Sequence, residues 1–184
     1  MNNIHIVNLA AYEAPVIKES KRDNWVEYGE NNLHFNFLLD RYINSTTNNA
    51  VINNIARLVY GKGLKALDAS KKPNEYAQMV ALFDKECVRK MALDFKMLGQ
   101  FAIQVVYTKD HKKIAKAYHV PVHLLRAEKC NEDGEIMGYY YSDNWAEYKK
   151  YTPVRYSAFG TSKDELEIMF VKPYSVGMKY YSYP

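Results

Sequence analysis

The clearest periodicity in the chain lies in its middle. Tyr76, Val80, Phe83, Cys87, Met91, Phe95 and Leu98 recur at spacings of three, four and seven, which places them on one face of an α-helix. The pattern predicts one long amphipathic helix over residues 74–98, about 37 Å at 1.5 Å per residue. The loop Lys71-Lys72-Pro73-Asn74 would cap its start, and Gly99 would stop it. Two shorter helices precede it. Leu33, Phe37, Leu38, Arg41 and Tyr42 sit at helical spacing over residues 33–44. Asn44-Ser45-Thr46-Thr47 then offers side-chain oxygens to the free N–H groups of a helix start, and Ala50, Val51, Ile55, Leu58 and Val59 continue the apolar face. That helix runs into Tyr60-Gly61-Lys62-Gly63, where Gly61 and Gly63 let the backbone turn out through positive φ without a Cβ penalty.

After Gly99 the pattern becomes that of strands. Phe101 to Tyr107 is a continuous apolar run, Thr108 to Lys113 a charged turn, and Ile114 to Val120 the returning partner of a hairpin. Asn131-Glu132-Asp133-Gly134 is a turn between Leu125 to Cys130 and Glu135 to Ser142. Tyr151 to Ala158 and Leu166 to Val171 complete five or six short strands. Helices first and strands afterwards predict an α+β fold with a mainly antiparallel sheet. Residues 1–30 hold neither period and read as an N-terminal arm with at most one short strand. Residues 31–184 then form one α+β domain, helical over 33–98 and β-rich over 101–184.

Composition narrows the function classes. A chain of 184 residues suits one domain with its own core. Its 17 tyrosines suit strands, and also surfaces that are apolar in body and polar at the tip. A net charge of +4 falls short of a concentrated positive face, so nucleic acid is not demanded. Cys87 lies on the helical stripe far from Cys130, which predicts a buried free thiol and a reducing compartment. No apolar run approaches the roughly 18 residues of a membrane span, and the N-terminus lacks a signal-peptide pattern, so assembly in the cytosol without a membrane is expected.

Candidate chemistry is sparse. His119 and His123 are four apart, but Pro121 lies between them and no neighbouring ligand completes a metal set, so they read as hydrogen-bonded histidines near a strand end. Burial on the stripe would raise the thiol pKa of Cys87 and leave it inert. Gly61-Lys62-Gly63 closes a helix, whereas phosphate loops follow a strand and open one. Asp84, Glu86, Glu165 and Glu167 fall in mixed-charge segments typical of solvated faces. The expectation is a non-enzymatic chain with no cofactor, no metal and no small-molecule substrate. Tyr148-Lys149-Lys150-Tyr151 and Lys179-Tyr180-Tyr181 interleave aromatic and basic residues, as exposed strands do and as nucleic-acid-binding surfaces do. The second reading makes Lys149, Lys150, Tyr151, Lys179, Tyr180 and Tyr181 contacts of an interface or of a small nucleic-acid-binding module.

In order along the chain stand Trp25-Val26-Glu27-Tyr28-Gly29-Glu30-Asn31-Asn32, then Leu38-Leu39-Asp40-Arg41-Tyr42-Ile43-Asn44-Ser45, then Val59-Tyr60-Gly61-Lys62-Gly63-Leu64. Met97-Leu98-Gly99-Gln100-Phe101-Ala102, Val120-Pro121-Val122-His123-Leu124-Leu125-Arg126 and the closing Lys172-Pro173 and Tyr180-Tyr181-Ser182-Tyr183-Pro184 follow. Together, over roughly residues 22–184, they resemble the N-terminal wing region of portal proteins of tailed bacteriophages and prophages. The resemblance implies a structural role in a homo-oligomeric ring, commonly of twelve, at one capsid vertex. DNA passes through that ring, terminase docks on it during packaging, and capsid and head-to-tail connector proteins surround it. Location in the virion, or in the host bacterial cytoplasm before assembly, would follow. Portal proteins commonly run more than twice this length, with the stem helix and clip beyond the region matched here. The family supplies no catalytic residues.

Overall fold

The computed structural model describes residues 14–162 and 166–184. Four helices, α1 (His34–Ile43), α2 (Thr46–Tyr60), α3 (Pro73–Leu82) and α4 (Lys85–Leu98), precede the main sheet. That sheet contains β3 (Phe101–Tyr107), β4 (Ile114–Val120), β5 (Leu125–Ala127), β6 (Gly138–Tyr141), β7 (Val154–Ala158) and β8 (Leu166–Val171). Its strand order is β4-β3-β8-β7-β6-β5. A smaller antiparallel pair, β1 (Ile17–Glu19) and β2 (Val26–Tyr28), lies ahead of α1. The fold is α+β.

Both expected hairpins form. Ala102 pairs with Val120 and Gln104 with Tyr118 across β3–β4, and Leu125 pairs with Tyr141 across β5–β6. The sheet is mixed rather than wholly antiparallel, because Ser157 and Ala158 of β7 run parallel to Glu167 and Ile168 of β8. Trp25 bridges to Glu128 and so ties the small sheet to the large one. Val26 and Tyr28 of β2 are fully buried with Phe35, Leu98, Val122 and Leu125 in one core.

The single helix expected over 74–98 is two. Phe83 leaves α3 at φ −119°, ψ 86°, and Asp84 is extended, with its Oδ1 accepting the Cys87 N–H at 2.7 Å. A short-side-chain acid at this position offers the backbone an alternative to continuing the helix, and a new N-terminus wins. The apolar stripe divides with it. Cys87, Met97 and Leu98 of α4 are buried, but no residue of α3 is, and Val80 and Phe95 reach solvent. At the other end of α4, Gly99 turns at φ 74° and its N–H donates to the Phe95 carbonyl at 3.1 Å. A Cβ there would stand 2.1 Å from the Tyr183 carbonyl oxygen, so glycine is required by both φ and space.

Candidate assembly surface

Helix α2 is built as its sequence implies: Ser45 Oγ accepts the Asn48 N–H at 3.3 Å, and the chain exits at Gly61 (φ 53°) and Gly63 (φ 81°). Its Gly61 N–H still closes on Arg57 O at 2.9 Å and the Gly63 N–H on Tyr60 O at 2.8 Å, so both glycine N–H groups are used in ending the helix. Helix α4 rests on β3 and β4, and α2 rests on α4, which makes α2 the outer layer. Only Ala56 of α2 is buried, while Leu58 is 80% exposed and Leu67 in the following loop is wholly exposed. An apolar groove of about 320 Å³ runs past Val59, Tyr60, Leu64, Met91, Phe95 and Phe101. Across Tyr60 lies a second groove of about 530 Å³ lined by Asn53, Arg57, Arg89 and Leu93, with the Arg89 guanidinium 5.0 Å above the Tyr60 ring. Apolar surface left open beside paired cations is the kind of patch that partners cover.

Toward the other edge of the sheet the fold is pinned by a buried cation. Arg126, in the middle of the short strand β5, is fully buried. Its Nε donates to Asn32 Oδ1 at 2.5 Å, Nη2 to Asn32 O at 2.7 Å, and Nη1 to the carbonyls of His123 and Leu125 at 2.9 and 2.8 Å. Its guanidinium also faces the rings of Trp145 at 4.7 Å and Phe35 at 5.1 Å. Burial pulls its pKa down to about 10, which leaves it charged at neutral pH. No carboxylate ion-pairs with it among the described residues, so carbonyl dipoles and π-faces carry the whole compensation. Asn32 is suited to its role because asparagine tolerates its φ of 62° and its Oδ1 also accepts the Tyr28 N–H at 3.1 Å.

The aromatic–basic residues are not brought together on one nucleic-acid face. Tyr148 to Tyr151 form a turn after a short 3-10 segment, not an exposed strand, because Asn144 caps that segment and Tyr148 packs edge-on against Trp25. Lys149, Lys150 and Tyr151 are exposed there, with Lys150 Nζ 5.3 Å from the Tyr151 ring. Tyr180 and Tyr181, by contrast, are buried and cannot stack on bases. Tyr181 stacks on Tyr28 at 4.4 Å, donates its hydroxyl to Val26 O at 2.6 Å and accepts the Ala127 N–H. Its burial pushes the phenol up to about 12. The Tyr180 hydroxyl reaches Glu19, and its pKa is raised, first by burial. Only Lys179 of that trio stays at the surface.

His119 Nε2 meets Asp94 Oδ2 at 2.8 Å, and the same oxygen accepts the Val122 N–H, so a hydrogen bond near a strand end accounts for this histidine. His123 is held neutral-favouring chiefly by burial. Burial likewise raises the Cys87 thiol. No group of three or more His, Cys, Asp or Glu among the described residues is placed to hold a metal ion. Glu167 is a correction: it is fully buried, not on a solvated face, and takes the Tyr107 hydroxyl at 2.8 Å and the Gly160 and Ser162 N–H groups at 2.9 and 3.1 Å. Glu165 and His5 lie outside the described residues. The mixed-charge reading of Glu167 and the absence of any role for Arg126 both miss one local signal: a lone charge between Leu125 and Ala127, and another between Leu166 and Ile168, is a legible sign of a buried anchor.

No family model matches the chain, and no curated protein matches it. Its structure is similar to a chain from the neck of an empty GTA (gene transfer agent) particle computed with C6 symmetry, with a TM-score of 0.62 at 10% identity. The match covers 80% of this chain and 39% of that one, so this chain spans about two fifths of the neck chain's length. At this identity the likeness is one of fold. No described helix is long and apolar enough to cross a membrane.

Proposed function

We propose that this chain is a structural subunit of the head-to-tail junction of a phage-like particle, and within that class the wing region of a portal ring. The observation that carries the reading is the fold shared with a particle-neck chain over 80% of the residues here. The ordered motifs from Trp25 to Pro184 support its narrower form, and the open apolar surface of α2 and the loop after it suits a protein that works among neighbours. On this reading its partners are further copies of itself, capsid and connector proteins and, during packaging, terminase, with DNA passing through the ring. It works by holding geometry and transforms no substrate. Antibody raised against the chain, followed by gold labelling of particles from the producing host, tests it. Label at a single vertex is expected, beside terminase and capsid genes at the locus. Label spread over the shell, or particles without it, refutes the proposal.

A further inference from the structure

Two exposed features of opposite charge deepen the ring-subunit reading and rest on it. The first is the α2–α4 groove. Arg57 stands in the last turn of α2 and Arg89 on α4 over the Tyr60 ring, and neither has an acidic partner within ion-pair distance among the described residues. Tyr60 is shared with the apolar groove that continues past Leu64 and Phe95. The site is therefore an apolar trough with a cationic rim. It suits a segment that carries carboxylates beside an aliphatic side chain.

The second feature is the β5–β6 connection, which has that chemistry. Glu132, Asp133 and Glu135 are exposed and none is ion-paired among the described residues, while Ile136 follows half-buried. The turn is held in shape by three hydrogen bonds: Gly134 N–H to Asn131 O at 3.0 Å, Asn131 N–H to Glu135 O at 3.0 Å, and Glu135 N–H to Asn131 Oδ1 at 2.8 Å. Lys179 is the cation beside it, its Nζ 3.7 Å from where a Cβ on Gly134 would stand, which leaves the turn net negative. The two features belong to opposite ends of the strand order, since α4 packs on β3 and β4 whereas this turn joins β5 to β6.

We propose that the acidic turn 131–135 of one copy docks on the Arg57–Arg89 groove of the next copy. Arg57 and Arg89 take its carboxylates, and Ile136 faces the trough. Two different surfaces meeting in this way make a heterologous contact, which on repetition closes a ring or runs on as a filament. Groove-to-groove pairing is disfavoured because it sets the arginines of both copies against each other. A DNA duplex would satisfy the arginines and leave the apolar trough wet.

Sedimentation equilibrium on the full chain tests the contact, using wild type, Arg57→Glu/Arg89→Glu, Glu132→Lys/Glu135→Lys, and an equimolar mixture of the two variants. All four positions are exposed, so circular dichroism and Tm should match wild type. Each variant alone should raise the self-association Kd about tenfold or more, and the mixture should return to within about threefold of wild type as alternating copies. Unchanged association in either variant, or a mixture that stays weak, overturns the contact. So does a wild type that remains monomeric, or a short DNA duplex that binds wild type and is lost from Arg57→Glu/Arg89→Glu with self-association unchanged. Gold labelling at one vertex alongside any of these results leaves the junction-subunit reading standing and removes this interface alone.

Discussion

Replacing Arg126 by methionine keeps much of the side chain's volume and removes its guanidinium. The variant then leaves the backbone carbonyls of Asn32, His123 and Leu125 each short of a donor, while Asn32 Oδ1 keeps the Tyr28 N–H. Each orphaned acceptor costs about 1–3 kcal/mol, and hydrogen bonds to a charged donor contribute about 1.5–3 kcal/mol each. Against this, wild type bears the cost of burying an ion, several kcal/mol. Three acceptors at about 1–3 kcal/mol each, offset by the several kcal/mol no longer spent on burying an ion, leave a net loss of about 2–4 kcal/mol, since no opposite charge is stranded. Against total stabilities of about 5–15 kcal/mol, that is a Tm lower by about 4–16 °C for a chain of this size. Thermal and urea unfolding followed by circular dichroism would measure it. Arg126→Lys should recover little, because an ammonium cannot span Asn32 and two backbone carbonyls at once or lie flat between Trp145 and Phe35. A Met variant as stable as wild type would show that the guanidinium's hydrogen bonds only offset its desolvation. A Lys variant of full stability would show that charge, not fork geometry, is what the site uses.

Three further outcomes are expected. Gly99→Ala must place a Cβ against the Tyr183 carbonyl at φ 74°, so unfolding should occur about 2 kcal/mol or more earlier, with limited proteolysis beginning in the C-terminal segment. Glu167→Gln keeps one acceptor oxygen and sets an NH2 against either the Gly160 or the Ser162 N–H, which donate to different carboxylate oxygens; this should cost about 2 kcal/mol and speed amide exchange at one of those two residues while that at Val26 is unchanged. Burial lowers the pKa of His34 and of His123 below the usual 6.5, so the unfolded chain binds more protons than the folded one as pH falls through that value. Stability should therefore be fully present above about pH 7 and decline toward pH 5, and a His34→Gln/His123→Gln variant should show a flatter slope of Tm against pH.

Which of these features could be read in advance follows the range of the interactions. Ser45 as a helix cap, the Gly61 and Gly63 exit, the two hairpins around 108–113 and 131–134, and the inert burial of Cys87 all depend on residues within a few positions of one another. Their chemistry is therefore written locally. The break at Phe83 and Asp84 was also local, but the continuous stripe from Tyr76 to Leu98 masked it: apolar phase reports which residues share a face and says nothing of an N-cap that interrupts the backbone.

The remaining features depend on distant parts of the chain. Tyr180 and Tyr181 look like an exposed aromatic pair until Tyr28, Val26 and Ala127, far earlier in the chain, close around Tyr181. Arg126 and Glu167 look like charges for solvent until Asn32, Tyr107 and two loop N–H groups supply their partners. Sequence by itself determined the α+β class, most element positions and the helix ends other than those at the Phe83–Asp84 break, because propensity, capping and periodicity act between near neighbours. Only the tertiary structure decided which polar and aromatic side chains went inside and which apolar face of α2 stayed open. Burial is a property of the assembled surface, and a charged residue can be buried only where groups from elsewhere in the chain satisfy it.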